Sequence, residues 1–208
     1  MNRECFHYDI LNELFNIGVG KAANMLSEIV NKKIKLQIPR IIIPDATDDT
    51  QQIEEPFSGL FDAALMVSTI SFSDTLKGKA NLVFPADKVK HLVSLCSGDS
   101  FILQEDTEFS DVDFDVIREV GNILLNCILG ELGNLIHIHL EYDLPRVELY
   151  NQINFKQNAD GHANHSFLIL FVTFLIDNTK IEGAVVIDLM VESIQELFRL
   201  LDEIEAEL

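Results

Sequence analysis

Apolar side chains recur at helical spacing in two long segments of the chain, over residues 3–30 and again over residues 111–134. The first segment carries Leu11 and Leu14 on one stripe, and the second carries Ile117 and Val120 on another. Positions three or four apart lie on one side of an α-helix, so each segment predicts a helix with one buried face. In the first helix, Gly18 and its small neighbours indicate the close approach of another element.

A stretch of alternating polar and apolar residues follows each predicted helix and predicts a β-strand, over residues 34–39 and 136–144. Pro39 and Pro145 close these stretches, and because proline has no N–H for a ladder, we expect each strand to stop there. Two hairpins come next, with strands predicted over residues 60–72 and 79–84 in one half and over residues 167–176 and 184–189 in the other. Each hairpin precedes a shorter predicted helix, over residues 87–96 and 191–206.

The two halves of the chain therefore repeat one order of elements. Written one over the other, they keep a constant offset through the long helix and the proline, where Pro39 matches Pro145. The offset is shorter by a single position through the hairpin, where Gly78 matches Gly183. Such constancy predicts an internal duplication, with repeats of about residues 1–104 and 105–208. The predicted fold class is α+β: a single pseudo-twofold domain whose two long helices pack against a shared antiparallel sheet.

One side of each long helix carries a row of polar residues. We call these the first row, Asp9, Glu13 and Asn16, and the second row, Asp115, Glu119 and Asn122. Steps of four and three residues bring the side chains of one row within an arc of about 60°. In each half, a stretch of the same length separates the asparagine from its proline. One such row would be ordinary solvated helix surface. However, asparagine is unfavourable in the middle of a helix, and its presence in both rows indicates a role for the amide.

Composition excludes several classes of partner. The chain has 15 basic and 34 acidic residues and a net charge of -19, which would repel a nucleic-acid backbone and an anionic membrane surface. The longest apolar run, residues 167–176, is too short to span a bilayer as a helix. The first residues show no signal-peptide pattern, and Cys5, Cys96 and Cys127 lack close pairing. We therefore expect no membrane insertion and a reducing, cytoplasmic location.

A metal site is one reading of the rows, because carboxylate and amide oxygens are ligands for hard cations. Three oxygens on one helix give an incomplete coordination shell, and no Glu-x-x-His pair lies beside either row. His137 and His139 are predicted to alternate on a strand, where histidines are more often exposed or hydrogen-bonded than metal-bound. The chain also has no glycine-rich phosphate loop and no nucleophile elbow. Conventional catalysis by this chain alone thus has little support.

A carboxamide suits a different chemistry, because its oxygen accepts a hydrogen bond while its nitrogen donates one. An amide with both capacities could hold a water molecule in line with a phosphoryl group, whose loose transition state depends mainly on positioning. The neighbouring carboxylate could anchor a cation on the molecule that carries the phosphate. This reading places the phosphoryl group on a partner protein.

The repeated pattern resembles that of the CheC-type chemotaxis phosphatases, a family that also includes the CheX and FliY types. The resemblance rests on four residues that recur at the same spacing in both halves. They are an acidic residue, a Glu four residues later, an Asn three residues after the Glu, and a proline farther along the chain. It covers nearly the whole chain and is closest to the CheC type, since both halves carry the motif. One departure lies at Phe15, where the family usually has the glycine that Gly121 retains. The ring at Phe15 either packs inward or impedes docking beside Asn16.

The resemblance implies hydrolysis of the aspartyl phosphate on the response regulator CheY. In that role Asn16 and Asn122 would orient the attacking water, and Glu13 and Glu119 would pair with a lysine of the regulator. Asp9 and Asp115 match the leading acidic position and would support the contact surface. The protein would need no cofactor of its own, because Mg²⁺ comes with the regulator.

The resemblance also implies the receptor deamidase CheD as a further partner. Two other functions stay open. A non-catalytic adaptor would bind a receiver domain or CheD through the same surface, and a metal-dependent hydrolase would act on small phosphoesters without a receiver. The sequence favours the phosphatase.

Overall fold

The computed structural model describes residues 3–42, 64–97, 109–150, 165–176 and 179–207. The elements in chain order are α1 (Arg3–Val30), β1 (Ile34–Ile42), β2 (Leu65–Asp74), β3 (Gly78–Pro85), α2 (Ala86–Ser97), α3 (Asp111–Leu135), β4 (Leu140–Tyr142), β5 (Arg146–Tyr150), β6 (His165–Ile176), β7 (Thr179–Met190) and α4 (Val191–Glu207). Both long helices and both hairpins lie where the sequence predicted them. The start of the first predicted hairpin, residues 60–63, lies outside the described residues.

Helix α3 begins at a capping box, as the sequence around its start allows. The Ser110 side chain accepts a hydrogen bond from the backbone N–H of Asp113, whose carboxylate in turn accepts one from the Ser110 backbone N–H at 2.7 Å. Two of the unpaired donors at the helix start are thereby satisfied. The predicted stripe is buried, with Ile117 and Leu124 fully enclosed and Val120 nearly so. The face that carries the second row is thus turned away from the core.

The described strands form one antiparallel sheet in the order β1, β6, β7, β3, β2 and β4, and β5 also pairs with β2. The two hairpins meet at the centre, where β3 pairs with β7. In this pairing Asn81 lies opposite Val186, and these two residues are 105 positions apart, the same offset that aligns the two hairpins in sequence. A pseudo-twofold axis would pass through such a pair. The register is therefore the one that the predicted duplication requires, while the duplication itself stays a prediction.

Both prolines lie along the outer edges of the sheet, at points where the pairing slips by one residue. Between Gln37 and Arg40 the β1 strand advances three residues while β6 advances two, from Thr173 to Phe171. The same single-residue excess occurs across Pro145, between the β4 and β5 pairings with β2. The prediction that Pro39 ends its strand was wrong, because β1 continues to Ile42. Proline is tolerated there since an edge strand at a bulge needs no N–H at that residue.

The strand predicted over residues 136–144 is also shorter than expected. Ile136 caps helix α3 through its backbone N–H, and His137 has a φ of 55°, which ends the helix and turns the chain. Strand β4 begins only at Leu140. His137 and His139 therefore do not alternate on a strand. The error arose because a helix C-terminus rich in Leu and Ile leads directly into a short apolar strand, and periodicity cannot separate the two.

The main core lies between one face of the sheet and the helices. Side chains of β2 alternate between the two faces of the sheet, and on this face Met66 and Ile70 join Leu124 of α3 and Leu14 of α1 in the core. The other face of the sheet carries a second, smaller buried cluster of Leu65, Val67, Val83, Ile169, Ala184 and Val186. All four described helices contribute to the main core, so α1 and α3 lie side by side on the same face of the sheet.

Candidate functional site

The first row lies on the solvent side of α1, as predicted. Asp9, Glu13 and Asn16 are all exposed. The amide nitrogen of Asn16 is held by Asn12, one turn earlier: it donates to the Asn12 backbone carbonyl at 2.8 Å and to the Asn12 side-chain oxygen at 3.2 Å. The Asn16 side-chain oxygen makes no hydrogen bond within the described residues. In this row the outward group of the amide is therefore an acceptor.

The second row lies on the solvent side of α3, but its amide is held by a residue one turn later in the helix, not one turn earlier. Asp115 and Glu119 are exposed, and Asp115 forms an ion pair with Arg118. Asn122 is half-buried, and its side-chain oxygen accepts a hydrogen bond from the amide nitrogen of Asn126 at 2.8 Å. Within the described residues the Asn122 nitrogen makes no hydrogen bond. This amide keeps both N–H donors and one lone pair of its oxygen.

The residue before each asparagine determines how its helix meets the layer below. At Gly121 an added Cβ would lie 2.2 Å from the Ser68 Oγ and 2.6 Å from the Ser68 Cβ, so α3 rests directly on strand β2 at that point. Phe15, its counterpart in the first half of the chain, is fully buried. Its ring packs inward and leaves the surface beside Asn16 unobstructed. Of the two possibilities that the sequence left for Phe15, the structure thus supports inward packing.

The two long helices pack against each other closely enough to fix the distance between the rows. A Cβ at Gly18 would lie 3.1 Å from the Cys127 carbonyl oxygen and from the Ile128 Cα, which confirms the close approach predicted there. Farther out, Lys21 forms an ion pair with Glu131. The close backbone approach at Gly18 and the Lys21–Glu131 ion pair therefore both lie at the contact between α1 and α3.

A second side-chain contact between the same helices joins sulfur atoms. Cys127 Sγ lies 3.7 Å from Met25 Sδ. The offset between the two long helices relates Lys21 to Cys127 and Met25 to Glu131, so this contact is the counterpart of the ion pair. Burial raises the pKa of Cys127 above its ordinary value, and the Glu131 carboxylate raises it further. A thiol with a raised pKa is a poor nucleophile at neutral pH, so this contact is structural.

Two features bear on metal binding and membrane insertion. Among the described residues no group of three or more His, Cys, Asp or Glu side chains could hold a metal ion. Across the same ranges, no helix has the length and apolar content that crossing a membrane requires.

Sequence reasoning missed the two residues that orient the amides. Asn12 and Asn126 were available as signals, because each lies one helical turn from the asparagine of its row. It also missed Ser68, whose buried Oγ has no hydrogen-bond partner in the described part of the chain and lies beneath Gly121. No pattern in the sequence around Ser68 connects it to α3.

The fold is shared with solved structures of low sequence identity. The crystal structure of Thermotoga maritima FliY has a TM-score of 0.73 at 18% identity, covering 95% of this chain and 96% of that chain. A chain of the H. pylori FliG–FliM complex has a TM-score of 0.66 at 11% identity, covering 93% and 97% respectively. The class of protein is therefore an α+β protein with a CheC-like fold, as predicted.

A curated relative is similar in sequence as well. The CheY-P phosphatase CheC of Bacillus subtilis (strain 168) is 25% identical over 143 residues, which are 68% of this chain and 65% of that protein. The alignment thus spans slightly less than two thirds of the relative. No family model matches the chain. The sequence similarity to CheC and the fold shared with FliY confirm the predicted resemblance to the CheC-type family.

Proposed function

We propose that this protein hydrolyses the aspartyl phosphate of a CheY-type response regulator. The observation that carries the proposal is the second row, where an exposed carboxylate at Glu119 lies one turn before the amide of Asn122, which keeps both donors and an acceptor lone pair. The B. subtilis relative is named a CheY-P phosphatase, which is the activity that such a row suits. The first row adds a second, weaker site on the same face of the sheet.

In this mechanism the amide of Asn122 directs a water molecule towards the phosphorus atom. Its oxygen accepts a hydrogen bond from the water molecule, and its nitrogen donates a hydrogen bond to a phosphoryl oxygen. Hydrolysis then breaks the bond between phosphorus and the aspartate oxygen, and the products are inorganic phosphate and the free carboxylate. Because the transition state is loose, correct alignment of the water contributes more than its deprotonation.

The carboxylates of the rows make the docking surface. We assign Glu119 and Glu13 to a lysine of the regulator, and Asp115 and Asp9 to support of the same contact. A net charge of -19 favours association with a basic surface patch and predicts that binding weakens with salt. The Mg²⁺ ion in this proposal is the regulator's, and the protein contributes no metal ligand. CheD is a second proposed partner, inferred from the CheC resemblance alone.

The direct test is single-turnover loss of phosphate from purified phosphorylated CheY with Mg²⁺ present. We expect acceleration by the wild-type protein, a larger loss for Asn122→Ala than for Asn16→Ala, and loss of about 10²-fold or more for the double variant, because the water is no longer positioned. Asn24→Ala is the matched control, since Asn24 is an exposed asparagine of α1 outside both rows. Full activity in the double variant would contradict the mechanism.

An adaptor function is the second candidate, because a chain of this fold occurs in the FliG–FliM complex, a protein assembly. An adaptor would bind phosphorylated CheY, as measured by titration calorimetry, without shortening the lifetime of the phosphate. Hydrolysis of a small phosphoester that stops on addition of a chelator, with no CheY present, would instead indicate a metal-dependent hydrolase.

A further inference from the structure

Asn126 lies one turn after Asn122 on α3 and contacts it through a side-chain hydrogen bond, with Asn126 Nδ2 donating to Asn122 Oδ1 at 2.8 Å. The Asn126 side chain is half-buried, and its own Oδ1 is enclosed without a hydrogen-bond partner among the described residues. Asparagine in a helix interior is unfavourable, and so is a buried oxygen without a donor. Stability of the helix therefore does not explain the presence of Asn126.

The hydrogen bond has a clear effect on the amide of Asn122. If the Asn122 amide alone reversed, its NH₂ group would face the NH₂ group of Asn126, and two donors would oppose each other. With Asn126 Nδ2 as the donor, the observed orientation of the Asn122 amide is the one that pairs a donor with an acceptor. It leaves both hydrogens of Asn122 Nδ2 for a phosphoryl oxygen and the second lone pair of Oδ1 for a water molecule.

The first row shows what happens without this contact. The counterpart of Asn126 in the first half of the chain is Gly20, which has no side chain and nothing around its Cβ position within 4 Å. Asn16 is held from the other side by Asn12, and its nitrogen rather than its oxygen is engaged. The two amides therefore present opposite ends to the solvent.

We propose that Asn126 is a positioning residue: it fixes the orientation of the Asn122 amide so that one group both directs the water and contacts the phosphoryl oxygen. The inference rests on the proposed phosphatase function and extends it to a residue outside the repeated Asp, Glu and Asn pattern. Asn126 acts through Asn122 and contacts neither the water nor the regulator in this account.

The experiment uses the full chain carrying Asn16→Ala, so that only the second row contributes, and phosphorylated CheY over a range of concentrations. Asn126→Ala should lower turnover about 10-fold with little change in KM, because the amide is no longer oriented. Asn126→Asp should lower it further, since a carboxylate accepts from Asn122 Nδ2 and reverses the amide. Asn126→Gln keeps a donor at i+4 and should recover part of the loss.

A thermal melt separates positioning from a structural role. Asn126→Ala removes a buried oxygen without a partner and introduces a better helix former, so its Tm should equal or exceed that of the parent. Lower turnover at an undiminished Tm supports the proposal, and unchanged turnover in Asn126→Ala or Asn126→Asp overturns it. If the Asn16→Ala parent itself does not accelerate phosphate loss while wild type does, the assignment of the second row fails. If wild type is also inactive, the proposed function fails.

Discussion

The two long helices carry the same three residue types at the same spacing, yet they present them differently. Asn16 is exposed and its amide nitrogen is engaged by Asn12, whereas Asn122 is half-buried and its oxygen is engaged by Asn126. The residue three positions after the leading aspartate differs too: it is Arg118 in the second row, where it pairs with Asp115, and Asn12 in the first. A repeated motif therefore does not ensure a repeated site, since the neighbours of the motif decide which hydrogen-bonding groups remain available.

The difference begins beneath the helices. Gly121 allows α3 to rest on Ser68 of strand β2, and the fully buried Phe15 fills the corresponding layer under α1. Asn122, beside the glycine at this close approach, is half-buried, whereas Asn16, beside the buried phenylalanine, is exposed.

The largest expected change in stability comes from removing the aromatic ring that packs beneath α1. Phe15→Ala should lower the free energy of unfolding by about 3–5 kcal/mol, because a fully buried aromatic ring is replaced by a cavity. Ile17→Ala, at an exposed position two residues on, should change it by no more than about 0.5 kcal/mol. Urea denaturation measures both. Equal costs for the two variants would mean that Phe15 does not support α1.

Two glycine substitutions should shift stability in opposite directions. Gly121→Ala should cost about 1–3 kcal/mol, because its Cβ would overlap Ser68 and push α3 off the sheet. Gly20→Ala should gain about 0.5–1 kcal/mol, since open space surrounds that position and alanine favours the helix. Denaturant titration measures the free energy of unfolding of both variants. If Gly121→Ala is as stable as Gly20→Ala, α3 does not depend on its close approach to β2.

The smallest effect concerns the two counterpart contacts between α1 and α3. Burial and then the Glu131 carboxylate raise the pKa of Cys127, and Lys21 lowers it. Removing the carboxylate with Glu131→Gln therefore lowers that pKa and increases the thiolate fraction, so alkylation of Cys127 at pH 8 should become severalfold faster. Lys21→Gln should make it slower.

Peptide mass spectrometry after timed alkylation measures the alkylation rate of each cysteine separately. Cys96 is the internal control, since burial raises its pKa to about 11 and its rate should not follow either substitution. Slower labelling of Cys127 in Glu131→Gln would show that the carboxylate does not act on the thiol in solution.

The sequence by itself determined the order of the elements and predicted their repetition. Apolar stripes at helical spacing defined α1 and α3, and runs rich in Val, Ile and Phe indicated the hairpins. The constant offset between the halves agrees with the register of the central strands. It also placed both rows on the solvent side of their helices, because a side chain opposite a buried stripe must face outward. These features depend on local or periodic patterns of residues, so the order of residues in the chain is enough to recognise them.

Only the tertiary structure decided what holds each amide and how deep it lies. Ser68 and Gly121 belong to different halves of the chain, and their contact is one that no spacing rule contains. The chain continues along the sheet edge past both prolines, because their positions there leave no partner for the missing N–H. Distances between elements depend on packing in three dimensions, and packing therefore gave the two copies of one motif different hydrogen-bonding groups at the surface.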